Sequence, residues 1–287
     1  MRIVTYNIQY GFGEDRKFDL ERIAREIHGA DIIALQEVER FWTRSNNTDQ
    51  MAFFADYFPN HYSVYGPGVD IHIQESTSQE NRRRQFGNMI LSKYPIEYTR
   101  NHLLPKRSSI GQPLSIQRTA LEATLLVNAI PIRIYSVHLT HLSRQIRKKQ
   151  IKRLLEIHHD AVDEGFPLSF ENSGFSFEMD VPDRPVADKA ILLGDFNFAP
   201  DHPEYEKIVG PVSEYGGHVI SENGFVDAWT QVGKDLMAGE TGHTLNKYIR
   251  MDYCFVSSTL RNLIKSCWVN THARGSDHLP VWIELDI

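Results

Sequence analysis

Short apolar runs that end in a polar residue recur along the chain, and this pattern predicts β-strands. The clearest run spans residues 191–195, where Gly194 precedes the carboxylate of Asp195 and Asn197 follows two residues later. Because side chains alternate along an extended backbone, Asp195 and Asn197 should point to the same side of the chain. Such a carboxylate can act as a general base or a metal ligand, and the amide can orient it or hold a substrate oxygen. An ordinary strand end followed by an Asn-containing turn explains the segment equally well on its own.

The same pattern predicts further strands, and segments of helical character lie between them. The predicted strands cover residues 3–8, 31–37, 86–92, 119–127, 132–138, 251–257, 267–272 and 280–285. Helices are predicted over residues 19–28, 50–57 and 143–162. Residues 62–68 are mixed in character, and residues 70–86 are predicted to form a polar surface loop. Residues 165–189 form a long predicted loop with four phenylalanines, which either faces an apolar part of a substrate or packs on the domain.

Length and composition indicate a folded protein with a sizeable core. Of the 287 residues, 41% are hydrophobic and 24% are charged, and no repeat or linker divides the chain, so we expect one domain over residues 1–287. The net charge of −6 argues against strong, unaided DNA binding, although a local basic patch could still bind phosphates. Cys254 and Cys267 are predicted to be buried, reduced thiols. Strand-like sequence begins at once and no apolar run is long enough to span a membrane, so a cytoplasmic location is expected.

Polar residues that can bind metals or transfer protons occupy the ends of several separate strands. They are Asn7, Glu37, His138, Asp195, Asn197, Asp252, Asp277 and His278. One such residue means little, but several predict a shared polar floor at one edge of the sheets, where an active site would form. Their oxygen and imidazole groups suit a hard divalent cation and a phosphate. No cysteine belongs to the set, which argues against a structural zinc or iron–sulfur site.

Seven motifs occur in order along the chain. They are VTYNI at residues 4–8, LQEV at 35–38, GNMILSKYPI at 87–96, VHL at 137–139, GDFN at 194–197, MDY at 251–253 and SDHLPV at 276–281. Together they resemble the endonuclease/exonuclease/phosphatase superfamily, the pancreatic deoxyribonuclease-like fold, from residue 3 to about residue 285. The resemblance implies an α+β fold, a four-layer α/β/β/α sandwich in which two mainly antiparallel sheets pack face to face with helices outside.

The resemblance also implies how a metal ion would be held. Glu37 resembles the family's principal Mg²⁺ ligand, with Mn²⁺ as the alternative metal, and Asn7 resembles the amide that assists this metal or the substrate phosphate. Magnesium keeps several waters, so one or two carboxylates suffice. Asp277 would contribute to the metal shell or to the hydrogen-bond network. Some members carry an acidic residue two positions after the asparagine, where this chain has Gln9, so we do not expect a second metal-binding group on this strand.

The same resemblance implies the catalytic roles. Asp195 resembles the base that takes a proton from the attacking water, and Asn197 the group that orients this base and touches the phosphate. His278 resembles the residue that hydrogen-bonds the phosphoryl oxygen in the transition state, with Asp252 as its carboxylate partner. His138 would supply a further donor to the phosphate.

Two further residues are candidates for substrate binding. Asn88 lies within a motif of the family and could contact the substrate phosphate. Arg118 could approach a phosphate, although pairing with a surface acid is the more ordinary role. The arginine run at residues 82–84 and the basic face of the helix at residues 143–162 are interpreted as solvated charge and not as a DNA-binding surface.

The function predicted from the sequence is a Mg²⁺-dependent phosphoric ester hydrolase, and specifically a phosphodiesterase. Water would attack phosphorus in line with the leaving group, with Asp195 as base. A small molecule or a lipid head group is the favoured phosphate-ester substrate, and a DNA or RNA nuclease of the same superfamily is the alternative. A non-catalytic relative that binds phosphorylated partners is disfavoured because the base and the metal ligand are both present.

Overall fold

The fold is built from two large sheets with helices outside them. The computed structural model describes residues 1–73, 82–107, 114–168, 186–244 and 247–287. The strands are β1 (Arg2–Asn7), β2 (Ile32–Arg40), β3 (Tyr62–His72), β4 (Arg83–Ser92), β5 (Ile96–Leu103), β6 (Thr119–Val127), β7 (Ile130–His138), β8 (Lys189–Asp195), β9 (Phe225–Asp227), β10 (Gly242–His243), β11 (Tyr248–Ile249), β12 (Asp252–Ser257), β13 (Ile264–Val269) and β14 (Val281–Leu285). The α-helices are α1 (Leu20–Glu26), α2 (Gln50–Tyr57), α3 (Arg144–Glu164), α4 (Pro203–Val209) and α5 (Ala228–Gln231). Within the described ranges, none of these helices combines the length and apolar character needed to cross a bilayer.

In the described parts of the chain, the strands form two six-stranded sheets and one small hairpin. The first sheet has the order β13-β14-β1-β2-β4-β3, the second has the order β5-β6-β7-β8-β12-β9, and β10 pairs with β11. Each large sheet contains one parallel pair, β1–β2 in the first and β7–β8 in the second. The other neighbours are antiparallel. The prediction of two mainly antiparallel sheets is therefore confirmed.

Both faces of each sheet are covered, which explains why most strand residues are apolar. In β8, Ile191 and Leu193 belong to the apolar layer between the sheets, whereas Leu192 packs with the residues of α3 and α4. In β1, Ile3 enters the layer between the sheets and Val4 packs with α1 and α2. Alternate side chains thus fill opposite layers. The predicted four-layer α/β/β/α sandwich is confirmed, and both cysteines are free and buried as expected.

The strands at the sheet edges depart from the prediction. Residues 62–68 were expected to be mixed and residues 70–86 to form a loop, but β3 continues to residue 72 and pairs with β4, which starts at residue 83. The register shifts between Pro67 and Val69, and this irregularity interrupts the alternation on which the prediction depended. Residues 74–81 of the predicted loop lie outside the described residues.

The long loop predicted over residues 165–189 is described only at its ends. Residues 169–185, with three of its four phenylalanines, lie outside the described residues. The fourth, Phe166, packs edge-on against Tyr98 of β5, with ring centroids 5.3 Å apart. This end of the loop therefore packs on the domain, which is one of the two alternatives predicted for it.

Candidate active site

The ends of β7, β8 and β12 bring three polar residues side by side. His138 is the register partner of Asp195 across the parallel pair, and Asp252 is its partner across the antiparallel pair. Gly194 permits this close approach, because it has a φ of +141° and a Cβ atom there would lie 1.9 Å from the Val137 carbonyl oxygen.

The carboxylate of Asp195 lies at the centre of the site. Its Oδ1 accepts from the Asn197 backbone N–H at 2.9 Å, and its Oδ2 accepts from Asn197 Nδ2 at 3.0 Å and from Asn7 Nδ2 at 3.1 Å. Asn197 turns back toward Asp195 with a φ of +55°. Burial raises the pKa of Asp195 to about 7, although the positive charge of His278 works against this shift.

His138 is held as a neutral ring of defined tautomer. Arg118 Nη1 lies 2.9 Å from His138 Nδ1, and because a guanidinium group can only donate, Nδ1 must accept. The proton is therefore on Nε2, which lies 3.3 Å from Asp195 Oδ2. Burial, and then the charge of Arg118, lower the pKa of His138 well below its ordinary value.

His278 lies beside the same carboxylate but carries a positive charge. Its Nδ1 bonds Asp252 Oδ2 at 2.8 Å, and its Nε2 is 3.8 Å from Asp195 Oδ2. Burial lowers the pKa of His278, but the charges of Asp252 and Asp195 outweigh this effect and hold the pKa well above the ordinary value. The structure thus places one neutral and one charged imidazole around Asp195.

Asp252 is positioned by Thr241, a residue that the sequence did not single out. The hydroxyl oxygen of Thr241 accepts from the backbone N–H groups of Met251 and Asp252, each at 3.0 Å. The Oδ1 atom of Asp252 is buried without a hydrogen-bond partner among the described residues. The next residue, Gly242, begins β10 close to the His278 ring, 3.0 Å from where its Cβ would lie.

Glu37 lies at an irregularity in β2. The register between β2 and β4 shifts between Leu35 and Val38, and Glu37 has a φ of +61°, which directs its side chain out of the regular ladder. The Glu37 side chain is 18% exposed, and its Oε1 is 3.9 Å from His138 Nδ1. Burial raises the pKa of Glu37, an effect that the charge of Arg118 partly offsets.

Asn7, Gln9 and Asp277 form a hydrogen-bonded group beside Glu37. Asn7 Oδ1 accepts from the Gln9 backbone N–H at 3.1 Å, and Gln9 Nε2 donates to Asp277 Oδ2 at 2.7 Å. Ser276 Oγ donates to the Asn7 carbonyl oxygen at 2.7 Å and thereby fixes the loop before His278 to β1. Gln9, which replaces an acidic residue of some family members, thus serves as a donor to Asp277.

The two weaker candidates lie in different places. Arg118 is buried and contacts His138, with a second contact of 3.4 Å to His141 Nδ1, so the expected pairing with a surface acid is wrong. Asn88 is buried between the sheets, where its Nδ2 donates to the carbonyl oxygens of Thr119 at 3.0 Å and Ser136 at 2.8 Å. In this arrangement the amide of Asn88 joins the sheets.

Two places in the site offer groups that bind metals. Among the described residues, the ligand atoms of Asp195, Asp252 and His278 lie within 4.8 Å of one another. The charge on His278 argues against coordination there, because an imidazolium ion has no lone pair to donate. The Glu37 carboxylate is 18% exposed, and its neighbours Asn7 and Asp277 add oxygen atoms. The Glu37 side of the site therefore fits a hard divalent cation better.

Comparison with known proteins connects this geometry to one family. The sequence model of the Endonuclease/Exonuclease/phosphatase family matches residues 4–278. No curated protein matches the sequence.

Several solved structures share the fold over almost the whole chain. An endonuclease/exonuclease/phosphatase from Beutenbergia cavernae is 20% identical with a TM-score of 0.65, and the match covers 100% of this chain and 71% of that one. A mannosyl-6-phosphatase from Bacteroides thetaiotaomicron is 17% identical with a TM-score of 0.64 and full coverage of both chains. Truncated TDP2 from Caenorhabditis elegans is 16% identical with a TM-score of 0.58, and the match covers 98% of this chain and 95% of that one.

Proposed function

The chain belongs to the endonuclease/exonuclease/phosphatase family, whose members hydrolyse phosphoester bonds, and from this premise we propose that it is a Mg²⁺-dependent phosphodiesterase. The observation that supports the proposal is the pair of differently charged imidazoles around one buried carboxylate. The proposal treats residues 1–287 as a single domain, since the two sheets share one apolar layer.

The proposed roles follow from the protonation of each side chain. In its ionised form Asp195 takes a proton from the attacking water, and a pKa of about 7 suits a base that acts near neutrality. Asn197 and Asn7 hold the carboxylate in place by donating hydrogen bonds to it. The N–H groups of His138 and His278 would donate to the phosphoryl oxygens as negative charge gathers on them. His278 is the stronger donor because it is charged.

The residues that would hold a divalent cation are Glu37 as the main ligand, with Asn7 and Asp277 beside it. When bound, such a cation neutralises charge on the phosphoryl and leaving oxygens. Glu37 must be ionised for this role, and Arg118 favours the ionised form. Mg²⁺ is the proposed metal, with Mn²⁺ as the alternative, because the donors are all oxygens.

A nuclease is the second candidate. A basic cavity on α3 favours it, although the sequence alone led us to interpret this face of the helix as solvated charge. An open cavity of about 480 Å³ is lined by four exposed lysines, namely Lys148, Lys149 and Lys152 of α3 and Lys207 of α4. The helix α3 begins six residues after His138, and its Gln150 Oε1 accepts from the Thr140 backbone N–H at 2.8 Å, so this part of the helix lies close to the end of β7. This surface could bind a polyanion in spite of the net charge of −6. A steep loss of DNA binding with added salt would favour this candidate.

The test is a substrate panel assayed with Mg²⁺, with Mn²⁺ and with a chelator. The panel contains a chromogenic phosphodiester, a phosphomonoester, a phosphocholine ester and plasmid DNA. We expect metal-dependent cleavage of the small diester while the DNA stays intact. Nicking of DNA without cleavage of the small diester would favour the nuclease function. Preference for the monoester would indicate a phosphatase, which is the activity in the name of one similar structure.

A matched pair of variants tests the assigned base. Asp195→Asn should lower turnover on the order of 10²–10⁴-fold because it removes the proton acceptor. Asp188→Asn is the control, since Asp188 is an exposed residue just before the same strand. Near-normal rates for Asp195→Asn with every substrate would contradict the assignment, and circular dichroism checks that the variant is folded.

A further inference from the structure

An open cavity of about 780 Å³ begins at the edge of the candidate active site. The lining residues that matter here are Gln9, Tyr10, Arg44, His243, Tyr248 and Asp277. They come from the segments after β1 and β2, from the hairpin β10–β11 and from the loop before β14.

Three successive hydrogen bonds locate this cavity relative to Asp195. Asn7 Nδ2 donates to Asp195, Asn7 Oδ1 accepts from the Gln9 N–H, and Gln9 Nε2 donates to Asp277. The cavity starts at Gln9 and Asp277, so these hydrogen bonds connect it to Asp195 through Asn7. In an in-line displacement the leaving oxygen is opposite the attacking water. If Asp195 activates that water, as the proposed function holds, the leaving alcohol of the ester enters this cavity.

Flat side chains form two parts of the cavity wall. On one side the Arg44 guanidinium lies 3.8 Å from the centroid of the Tyr10 ring, and Glu39 fixes it by accepting from Arg44 Nε at 2.9 Å. On the other, the rings of His243 and Tyr248 meet edge-on with centroids 4.7 Å apart. Tyr248 is 57% exposed, so its ring offers apolar area that the protein itself leaves uncovered.

We propose that this cavity binds an aromatic ring in the leaving alcohol of the substrate. Rings stack on tyrosine, histidine and guanidinium groups, and Tyr10, Tyr248, His243 and Arg44 are among the residues that line this cavity. The carboxylate of Asp277 at the inner end disfavours a second phosphate there. Phe12 also lines the cavity, but an alkyl chain would bind less tightly than a ring because Arg44 and His243 place polar atoms at the wall. The substrates of this protein would therefore be phosphodiesters whose leaving alcohol carries an aryl or nucleobase ring.

The test compares two diesters that differ in one ring. Methyl benzyl phosphate and methyl cyclohexylmethyl phosphate have similar size, but only the first carries an aromatic ring. With Mg²⁺ we expect the KM of the benzyl ester to be lower by about fivefold or more, the range of a single stacking contact. Benzyl alcohol and methyl phosphate should be the main products by chromatography, because the ring occupies the leaving-group side.

Three variants connect the preference to the cavity. Tyr248→Ala should remove most of the difference in KM between the two esters, and Tyr248→Phe should keep it because the ring remains. Tyr215→Ala is the control, since Tyr215 is 98% exposed and does not line the cavity. Binding of methyl benzyl phosphate to Asp195→Asn, measured by calorimetry with and without Tyr248→Ala, provides a readout that needs no turnover.

The outcomes separate this inference from the proposed function. Hydrolysis of both esters with equal KM, or a preference that survives Tyr248→Ala, would overturn the aromatic cavity and leave the phosphodiesterase intact. Failure to hydrolyse any diester in the presence of metal would instead count against the proposed function. Methanol and benzyl phosphate as the main products would show that the ring belongs to the ester group that stays on phosphorus, and this would contradict the inference.

Discussion

At the scale of single residues, the site shows how neighbours decide the charge of a histidine. His138 and His278 both face Asp195, yet His138 contacts an arginine and His278 contacts an aspartate. Burial lowers the pKa of both rings, but Arg118 lowers that of His138 further, whereas Asp252 and Asp195 raise that of His278, so the two pKa values move in opposite directions. The chain thereby presents two N–H donors of different strength to one place.

The role of Arg118 is predicted to be that of a positioning residue for His138. In Arg118→Met the Nδ1 atom of His138 loses its donor, so the proton can move from Nε2 to Nδ1 and the ring can turn. We expect turnover to fall on the order of 10²-fold, the cost of a misplaced catalytic group. Nitrogen NMR of the imidazole would show which ring nitrogen carries the proton. Arg25→Met, at an exposed arginine of α1, should leave both readouts unchanged.

A second buried histidine is predicted to make stability depend on pH. Burial, and then the charge of Arg133, lower the pKa of His158 to about 4, and Arg133 Nη2 lies 3.2 Å from its Nδ1. The unfolded chain therefore binds the proton more tightly, so stability is full above about pH 6.5 and falls as the pH drops toward 4, by roughly 3 kcal/mol for this group. Urea unfolding of the wild type and of His158→Asn at pH 7 and pH 5 measures how much stability the protonation of His158 removes. An equal loss in both proteins would contradict the assignment.

At the scale of elements, the edge-to-edge fit of β7 and β8 depends on one glycine. A methyl group at position 194 would meet the Val137 carbonyl oxygen at 1.9 Å, and the φ of +141° disfavours any other residue. We expect Gly194→Ala to lower the free energy of unfolding by about 3 kcal/mol or more and to reduce turnover, since Asp195 follows directly.

The matched control for this substitution is Gly233→Ala. Gly233 also has a positive φ, +80°, but nothing lies within 4 Å of its Cβ position. The free energy of unfolding of Gly233→Ala should fall only by the cost of holding alanine at a positive φ, about 1–2 kcal/mol. Urea unfolding of both variants measures the difference. Equal losses of unfolding free energy would show that the clash with the Val137 carbonyl oxygen does not destabilise Gly194→Ala.

The sequence predicted the buried elements well and the edge elements poorly, for a physical reason. Strands such as β1 and β8 are covered on both faces, so their composition alone identifies them. The missed strands β3, β5 and β9 are three of the four outer strands of the large sheets described, where partial exposure, bulges or short length weaken the signal. The order of the seven motifs indicated which polar residues at the strand ends belong to the candidate site. The partners of Arg118 could not be predicted, because the contacts that surround it join separate strands and loops.

Thr241 and the cavity residues could not be found from the sequence either. The Thr241 hydroxyl oxygen accepts from a backbone N–H ten residues later, and no local sequence pattern predicts such a contact. Tyr248 and His243 lie in a hairpin of two-residue strands that has no apolar alternation. Exposed aromatic residues are also common without any function. Only their common position beside the site gives them meaning.

At the scale of the whole molecule, the site is divided between the two sheets. The first sheet supplies Asn7 and Glu37, and the second supplies His138, Asp195 and Asp252. Polar contacts connect the sheets near this edge, since Gln36 Nε2 donates to Ser136 Oγ at 2.9 Å and Asn88 donates to two carbonyl groups of the second sheet. Such buried contacts fix one register between layers that an apolar interface alone would leave free to slide.

Asn88 is accordingly predicted to matter through this connection. Asn88→Leu leaves the carbonyl groups of Thr119 and Ser136 without their donor, so the free energy of unfolding should fall by about 2–5 kcal/mol. Turnover should fall as well, because the two halves of the site lose their alignment. Asn60→Leu at an exposed turn is the control and should change stability by less than about 0.5 kcal/mol. Unaltered stability in Asn88→Leu would show that apolar packing alone sets the register.

The order of the strands has a consequence for synthesis on the ribosome. β14 lies between β13 and β1 in the first sheet, and Thr5 of β1 pairs with Val281. His278 comes only three residues before that strand. A growing chain can therefore assemble most of the second sheet while the first still lacks an inner strand and the charged imidazole. Catalytic competence should appear only after β14 has left the exit tunnel, so nascent chains stay inert toward phosphate esters until then.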